Sequence, residues 1–221
     1  IRNHRFPNKE LSMKGTVFAV ALNHQSQVAH WHEAFGQAPY KTPPKTPVWF
    51  IKPRNTRINS GEPILHPAGE VVQSGATLAL VIGKDARKVS QSEAKNYIAG
   101  FALANEVSLP EDSFYRPAIK AKCCDSFCPI GEMVETTLTA PVDIITLING
   151  KEADRWSTKD LVRDASELVA ALSEFATLKA GDVILMGTPH QRVTIQPGDE
   201  VTVQAEGFPS LSNNVVVAGG Q

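Results

Sequence analysis

Arg116 and Lys120 place two cations close together in a stretch that ends on a third, Lys122. Such charge suits a small dicarboxylate, and an arginine fork holds a carboxylate through two parallel hydrogen bonds. A plainer alternative pairs Arg116 with Glu111 or Asp112 and leaves Lys120 and Lys122 as surface charges. For Lys122 the context argues against that, because Cys123, Cys124 and Cys128 give it an apolar neighbourhood. These three cysteines, an odd number in one cluster, make a poor disulfide framework. A structural zinc site wants four ligands, usually as two separated pairs, and the sequence has no second cysteine pair. The cysteines read as small buried thiols of a protein in a reducing cytoplasm. Glu106, beside Asn105, is either a site carboxylate or a salt-bridged or solvated one. His30 and His32 are two apart and share no helix face, so with His24 they read as polar loop residues rather than a metal trio.

The elements that must position these residues are mostly strands. Residues 16–22, 48–51, 76–82, 98–107, 183–186, 200–205 and 214–217 are β-rich runs bounded by turn residues. Residues 48–51 read as a buried strand. Asn149-Gly150 between residues 144–148 and Lys151 signals a tight hairpin, since both positions must take positive φ. Helices are expected over residues 28–35, from a capping box at Ser90-Gln91-Ser92-Glu93 to Ile98, and from Ser157 onward. In the last, Leu161, Ala165, Leu168, Val169, Leu172 and Phe175 recur at helical spacing and predict a buried face. Residues 39–47 and 108–130 read as irregular. Strands outnumber helices without regular alternation, which favours an α+β, mainly β architecture over a doubly wound sheet.

Composition excludes several function classes. The 221 residues suit one large domain or two small ones, and 42% hydrophobic with 20% charged residues is ordinary for a soluble globular protein. A formal net charge of −1 gives no reason to expect nucleic acid or an anionic membrane surface. The longest apolar runs, such as residues 76–83, are too short to span a bilayer. Residues 1–12 carry Arg2, His4, Arg5 and Lys9 without an apolar core, unlike a secretory signal. They read as an N-terminal extension, with Met13 as a natural start and residues 13–221 as a single domain.

An ordered set of motifs goes further. Ala21-Leu22-Asn23, Phe50-Ile51-Lys52-Pro53, Leu80-Val81-Ile82-Gly83-Lys84, Tyr97-Ile98-Ala99-Gly100-Phe101, Lys122-x-x-Asp125-x-Phe127-Cys128-Pro129-x-Gly131, Gly187-Thr188-Pro189 and Pro197-Gly198-Asp199-x-Val201 follow one another along the chain. Together they resemble the fumarylacetoacetate hydrolase superfamily over residues 14–217. Residues 104–110 and 114–122 are especially similar to the N-terminal half of a fused, two-unit isomerase/decarboxylase of aromatic-acid catabolism within that family. The resemblance implies a mixed β-sandwich or roll with a few short helices. It also implies a small oxo-dicarboxylate as substrate, and isomerisation or decarboxylation as the chemistry. Here the chain looks like a free-standing half-unit that assembles with itself or with a sister half-unit.

Family chemistry builds enolate charge beside a 2-oxo acid. A Mg²⁺- or Mn²⁺-type ion, held by a Glu-x-Glu and one further acid, stabilises that charge as a Lewis acid. By the resemblance, the Glu-x-Glu positions here are Gly75 and Thr77, and only Glu106 stays acidic. No metal or other cofactor is therefore expected in this chain. The family's acid/base His and Glu fall on Gln27 and His30, and glutamine is no general base. Lys122 matches the lysine that meets a substrate carboxylate or developing oxyanion, and Thr188 matches the threonine at the substrate's edge. The implied catalytic side chains are thus Lys122 and Glu106, and the substrate-binding ones Arg116, Lys120 and Thr188. Two readings follow: an enzyme that works by charge neutralisation without metal, or a structural subunit whose sister carries the metal. A small-ligand binding module unrelated to catalysis has no other feature in its favour.

Overall fold

The computed structural model describes residues 13–219. The proposed 1–12 extension lies outside the described residues. In chain order the elements are β1 (Val17–Ala21), α1 (Gln25–Phe35), β2 (Val48–Lys52), β3 (Arg57–Ile58), β4 (Ile64–His66), β5 (Val72–Ser74), β6 (Ala76–Ile82) and β7 (Ile98–Asn105). There follow α2 (Ile119–Lys122), β8 (Cys128–Pro129), β9 (Asp143–Ile148), β10 (Lys151–Ser157), α3 (Ala165–Ser173), β11 (Val183–Leu185), β12 (Val193–Ile195), β13 (Glu200–Gln204) and β14 (Leu211–Val217).

Among the described residues, two five-stranded sheets form the body, in the orders β2-β1-β11-β6-β7 and β10-β9-β13-β14-β4. β1 and β11 run parallel, as do β14 and β4, and the remaining pairs of these sheets are antiparallel. This is the mixed, mainly β fold with short helices that the sequence predicts. β6 is an interior strand, between β11 and β7; its side chains are apolar or satisfied internally, and all seven residues are buried. Strand pleating sends Leu78, Leu80 and Ile82 to one face, where they pack with Ile144, Trp156, Val203 and Leu211 of the second sheet and Leu168 and Leu172 of α3. Burying each such aliphatic side chain stabilises the fold by about 1.5–3 kcal/mol. Trp156 Nε1 donates to the Ala76 carbonyl at 3.1 Å and pins the second sheet to the start of β6. Thr77 and Ala79 take the opposite face, which the small side chains Ala19, Ala104 and Cys128 line together with Leu185.

Several expectations hold and several are corrected. The hairpin forms as read, with Asn149 at φ 52° and Gly150 at φ 77°. The helix expected from Ser90 to Ile98 is one 3₁₀ turn at Ala94–Asn96. The Glu93 carboxylate accepts from the Ser90 hydroxyl rather than from its backbone amide, and the Tyr97 carbonyl accepts from Gly83 N at 2.7 Å, tying the segment to β6. The helix expected at Ser157 begins at Ala165, because Ser157 still pairs with Asp143 in the sheet and the true capping box is Asp164 with Glu167. Phe175 falls beyond that helix and is exposed. β2 is an edge strand, so its Ile51 is half exposed rather than buried. His24 is the N-cap of α1, and His30 and His32 lie within it, not in a loop. Cys128 is buried, whereas Cys123 and Cys124 are only partly so.

Candidate active site

Four chain segments end at one point. β2 delivers Lys52 at its last residue, β7 is followed directly by Glu106, α2 ends on Lys122, and the loop from β11 to β12 carries Thr188 and Arg192. Glu106 is the hub. Its Oε1 accepts from Lys52 Nζ at 3.0 Å, and its Oε2 accepts from Lys122 Nζ at 3.1 Å and from Arg192 Nη2. Lys52 also donates to the Val107 carbonyl at 2.8 Å. Lys122 reaches a second carboxylate, Glu111, at 3.0 Å and lies 5.0 Å from the centre of the Phe50 ring, a cation–π contact. Arg192 donates through Nη1 to the Glu106 carbonyl and through Nη2 to Thr188 Oγ1 at 3.0 Å.

This cluster is shut off from bulk solvent. Lys52, Glu106 and Lys122 are 1%, 2% and 4% exposed. Burial by itself would raise the Glu106 pKa, but Arg192, Lys122 and Lys52 outweigh it and hold the carboxyl well below the usual carboxylate range. Burial lowers the pKa of Lys122, Arg192 adds to the lowering, and Glu106 and Glu111 oppose it. With three cations and two carboxylates, the cluster carries one net positive charge.

The backbone around Glu106 is fixed from the β5–β6 junction. Asn105 Oδ1 accepts from Gly75 N at 2.8 Å and from Ser74 Oγ at 3.0 Å, while Glu106 N donates to the Gly75 carbonyl at 2.8 Å. Thr77 Oγ1 donates to the Gly187 carbonyl at 2.6 Å. The space left between Thr77, Glu106, Lys122 and Thr188 is about 10 Å³, room for about one water. Next to it opens a cavity of about 400 Å³ lined by Gln27, Trp31, Gln73, Ser108, Glu111 and Arg192. A further cavity of about 430 Å³, lined by Ile98, Phe101, Thr136, Leu161 and Met186, shares no residue with the cluster.

The side chains at the implied metal positions do not fit a hard divalent cation. Gly75 offers no donor, the Thr77 hydroxyl is engaged by Gly187, and both Glu106 oxygens face cations. Among the described residues, no group of three or more His, Cys, Asp or Glu side chains is placed to hold a metal ion.

The structure thus brings together Lys122, Glu106 and Thr188 of the expected residues. It leaves two apart. Arg116 is exposed on the rim of a groove of about 600 Å³ that Trp49, Ile51, Tyr115, Ile119 and Phe175 line. Lys120 is exposed and bonded to Glu70 at 2.5 Å. Gln27 is buried and accepts from Leu22 N at 2.9 Å, and His30 stacks on His190 with ring centres 3.5 Å apart.

Lys52 and Arg192 are the residues that sequence reasoning missed. A lysine closing the otherwise apolar run Val48-Trp49-Phe50-Ile51 is a usable signal for the first. For Arg192 the signal is its place four residues after Thr188.

Comparison with known proteins shows the family. Residues 16–216 match the family model described as fumarylacetoacetate (FAA) hydrolase C-terminal. The chain is 66% identical over 204 residues to the 4-hydroxyphenylacetate degradation bifunctional isomerase/decarboxylase of Escherichia coli, covering 92% of this chain and 48% of that protein. It is 65% identical, with the same coverage, to the homoprotocatechuate catabolism bifunctional isomerase/decarboxylase of Escherichia coli. The chain therefore spans about half the length of these relatives. Among solved structures, 5-carboxymethyl-2-hydroxymuconate delta-isomerase from Mycobacterium smegmatis superposes with a TM-score of 0.80 at 32% identity, covering 95% of this chain and 81% of that one. No helix among the described residues is long and apolar enough to cross a membrane.

Proposed function

Since the chain belongs to the fumarylacetoacetate hydrolase family, we propose that it is a half-unit of an isomerase/decarboxylase of oxo-dicarboxylates in cytoplasmic aromatic-acid catabolism. The substrates of that reading are 5-oxopent-3-ene-1,2,5-tricarboxylate for decarboxylation and 2-hydroxyhepta-2,4-diene-1,7-dioate for isomerisation. The observation that carries it is the buried, net positive cluster of Lys122, Arg192 and Lys52 around Glu106, set against a cavity of about 400 Å³.

Both reactions pass through one conjugated enolate oxyanion. In decarboxylation the bond to a carboxylate breaks, its pair moves into the conjugated carbonyl, carbon dioxide leaves and a proton returns to carbon. In isomerisation the 2-hydroxyl loses its proton, the enolate pair moves back along the conjugated chain, and a proton arrives on its far carbon. Preorganised cations in a site closed to water stabilise the oxyanion common to both. Lys122 supplies such a cation and, with its pKa lowered by burial, a mobile proton. Thr188, held by Arg192, orients at the substrate's edge. Arg116 would meet a distal carboxylate only along the groove of about 600 Å³, which Glu111 and Lys122 also line, and Lys120 joins it only by releasing Glu70.

The test is an assay of the purified chain on both substrates with and without EDTA. Turnover that survives EDTA and falls about 10²–10³-fold in Lys122→Ala supports the reading.

A second reading has its own observation. Gly75 and Thr77 leave the implied metal positions without carboxylates, and the groove at Trp49, Ile51, Tyr115, Ile119 and Phe175 exposes apolar side chains. This chain then serves as the structural partner of a metal-bearing sister half-unit, docked through that groove. No turnover alone, but metal-dependent turnover once a half-unit with Glu-x-Glu is added, would favour it.

A further inference from the structure

Gly75 does not have the positive φ that usually calls for glycine. What excludes a side chain there is a close approach. A Cβ at position 75 would lie 2.5 Å from the Glu106 carbonyl oxygen and far inside contact distance of Arg192 Nη1. The guanidinium therefore lies against the spot from which the first acid of a Glu-x-Glu would project. It is bonded to Glu106, the acid that remains of the ligand set, and to Thr188. An arginine charge is permanent, and its planar fork suits a carboxylate and a carbonyl together, as here. A side chain at position 75 would have to displace this arginine tip and also the Glu106 backbone carbonyl.

We propose that Arg192 is the resident cation of this site, replacing a divalent ion, and that Gly75 is the space it requires. Exchanging a carboxylate for a hydrogen atom removes the ligand that would hold a metal, and the arginine restores the positive charge that Glu106 faces. Recognition then changes in kind. A divalent ion chelates the keto and carboxylate oxygens of a 2-oxo acid together, whereas a guanidinium donates directional hydrogen bonds and leaves no open coordination position. The site takes an oxo-carboxylate as an anion, without chelation. This inference rests on the family membership for the location of the cation, and not on the proposed turnover.

Binding of Mn²⁺, read from the loss of its aqueous electron paramagnetic resonance signal, tests it independently of activity. The natural chain is expected to bind Mn²⁺ no tighter than about 1 mM, as hard cations need several oxygen ligands. The variant Gly75→Glu/Thr77→Glu/Arg192→Ala is expected to take up one equivalent at least tenfold more tightly. Uptake of one Mn²⁺ by the natural chain, abolished by Glu106→Gln, would overturn the proposal. So would a folded triple variant that binds no better than the natural chain. A double-mutant cycle of Gly75→Ala and Arg192→Ala, read by urea unfolding, covers the case in which the triple variant does not fold. The two changes are expected to couple by tenfold or more in the folding equilibrium, and strict additivity would count against the proposal.

Discussion

Lys52 and Glu106 form a 3.0 Å ion pair whose two side chains are almost wholly shut off from solvent. They are 54 positions apart in sequence, Lys52 closing β2 and Glu106 following β7, the two edge strands of the first sheet. Removing one member of such a pair leaves an uncompensated buried charge, which costs more than the pair contributes. Glu106→Gln leaves Lys52, Lys122 and Arg192 with Glu111 as the nearby carboxylate. A loss of about 3–5 kcal/mol is expected from urea unfolding. A loss below about 1 kcal/mol would mean that water enters the cluster freely.

Thr77 should be sensitive to the removal of one oxygen. Its hydroxyl is fully buried and donates to the Gly187 carbonyl at 2.6 Å. Thr77→Val keeps the shape and orphans that carbonyl, so a loss of about 1–3 kcal/mol is expected in the same unfolding measurement. Thr77→Ser, which keeps the donor, should lose less.

Stability should fall on mild acidification through His24. This side chain caps α1, with Nδ1 accepting from Ser26 N at 3.1 Å, and its buried Nε2 has no partner. Burial lowers its pKa below the ordinary 6.5, although Asp160 and Asp154 oppose the shift. The folded state thus favours the neutral ring. Its contribution is present above the unfolded pKa and is lost as pH falls through the lower, folded value. Comparing urea midpoints at pH 8 and pH 5 should show a drop in the natural chain that shrinks in His24→Asn, which retains a capping oxygen. Glu106 behaves differently. Its folded pKa is depressed, so its contribution is complete above the ordinary carboxylate value of 4.5 and erodes only below it.

The three cysteines should divide by reactivity. Burial pushes the Cys128 thiol up to about 12, so it holds almost no thiolate at neutral pH. Cys123 and Cys124 are partly exposed, with burial raising their pKa values as well. Ellman's reagent should titrate Cys123 and Cys124 slowly in the folded chain and reach Cys128 only after denaturation. Fast labelling of Cys128 in native buffer would contradict the packing of that face.

Much of the fold is written in short stretches of sequence. The Asn149-Gly150 hairpin and the apolar run of β6 are legible because a tight turn or a buried strand depends on residues adjacent in the chain. Helix starts are less so. Ser90-Gln91-Ser92-Glu93 has the pattern of a capping box, yet the bond from Gly83 to Tyr97 holds that segment to the sheet and leaves a single turn. Asp164, whose preceding residue Arg163 is held by Asn23, completes its box with Glu167, and there a helix forms.

The sequence by itself determined the family, through the order of its motifs, and the resemblance implies metal positions that fall on Gly75 and Thr77. It also pointed to Lys122 and Glu106, which are 16 positions apart and bracket one irregular segment. Only the tertiary structure decided that Lys52 and Arg192 close around Glu106. Arg192 lies 86 positions from Glu106 and is placed by a loop between strands of different sheets. No local pattern encodes such a contact, because it forms only where strand ends converge and water is excluded, and there a buried carboxylate must gather cations to stay ionised.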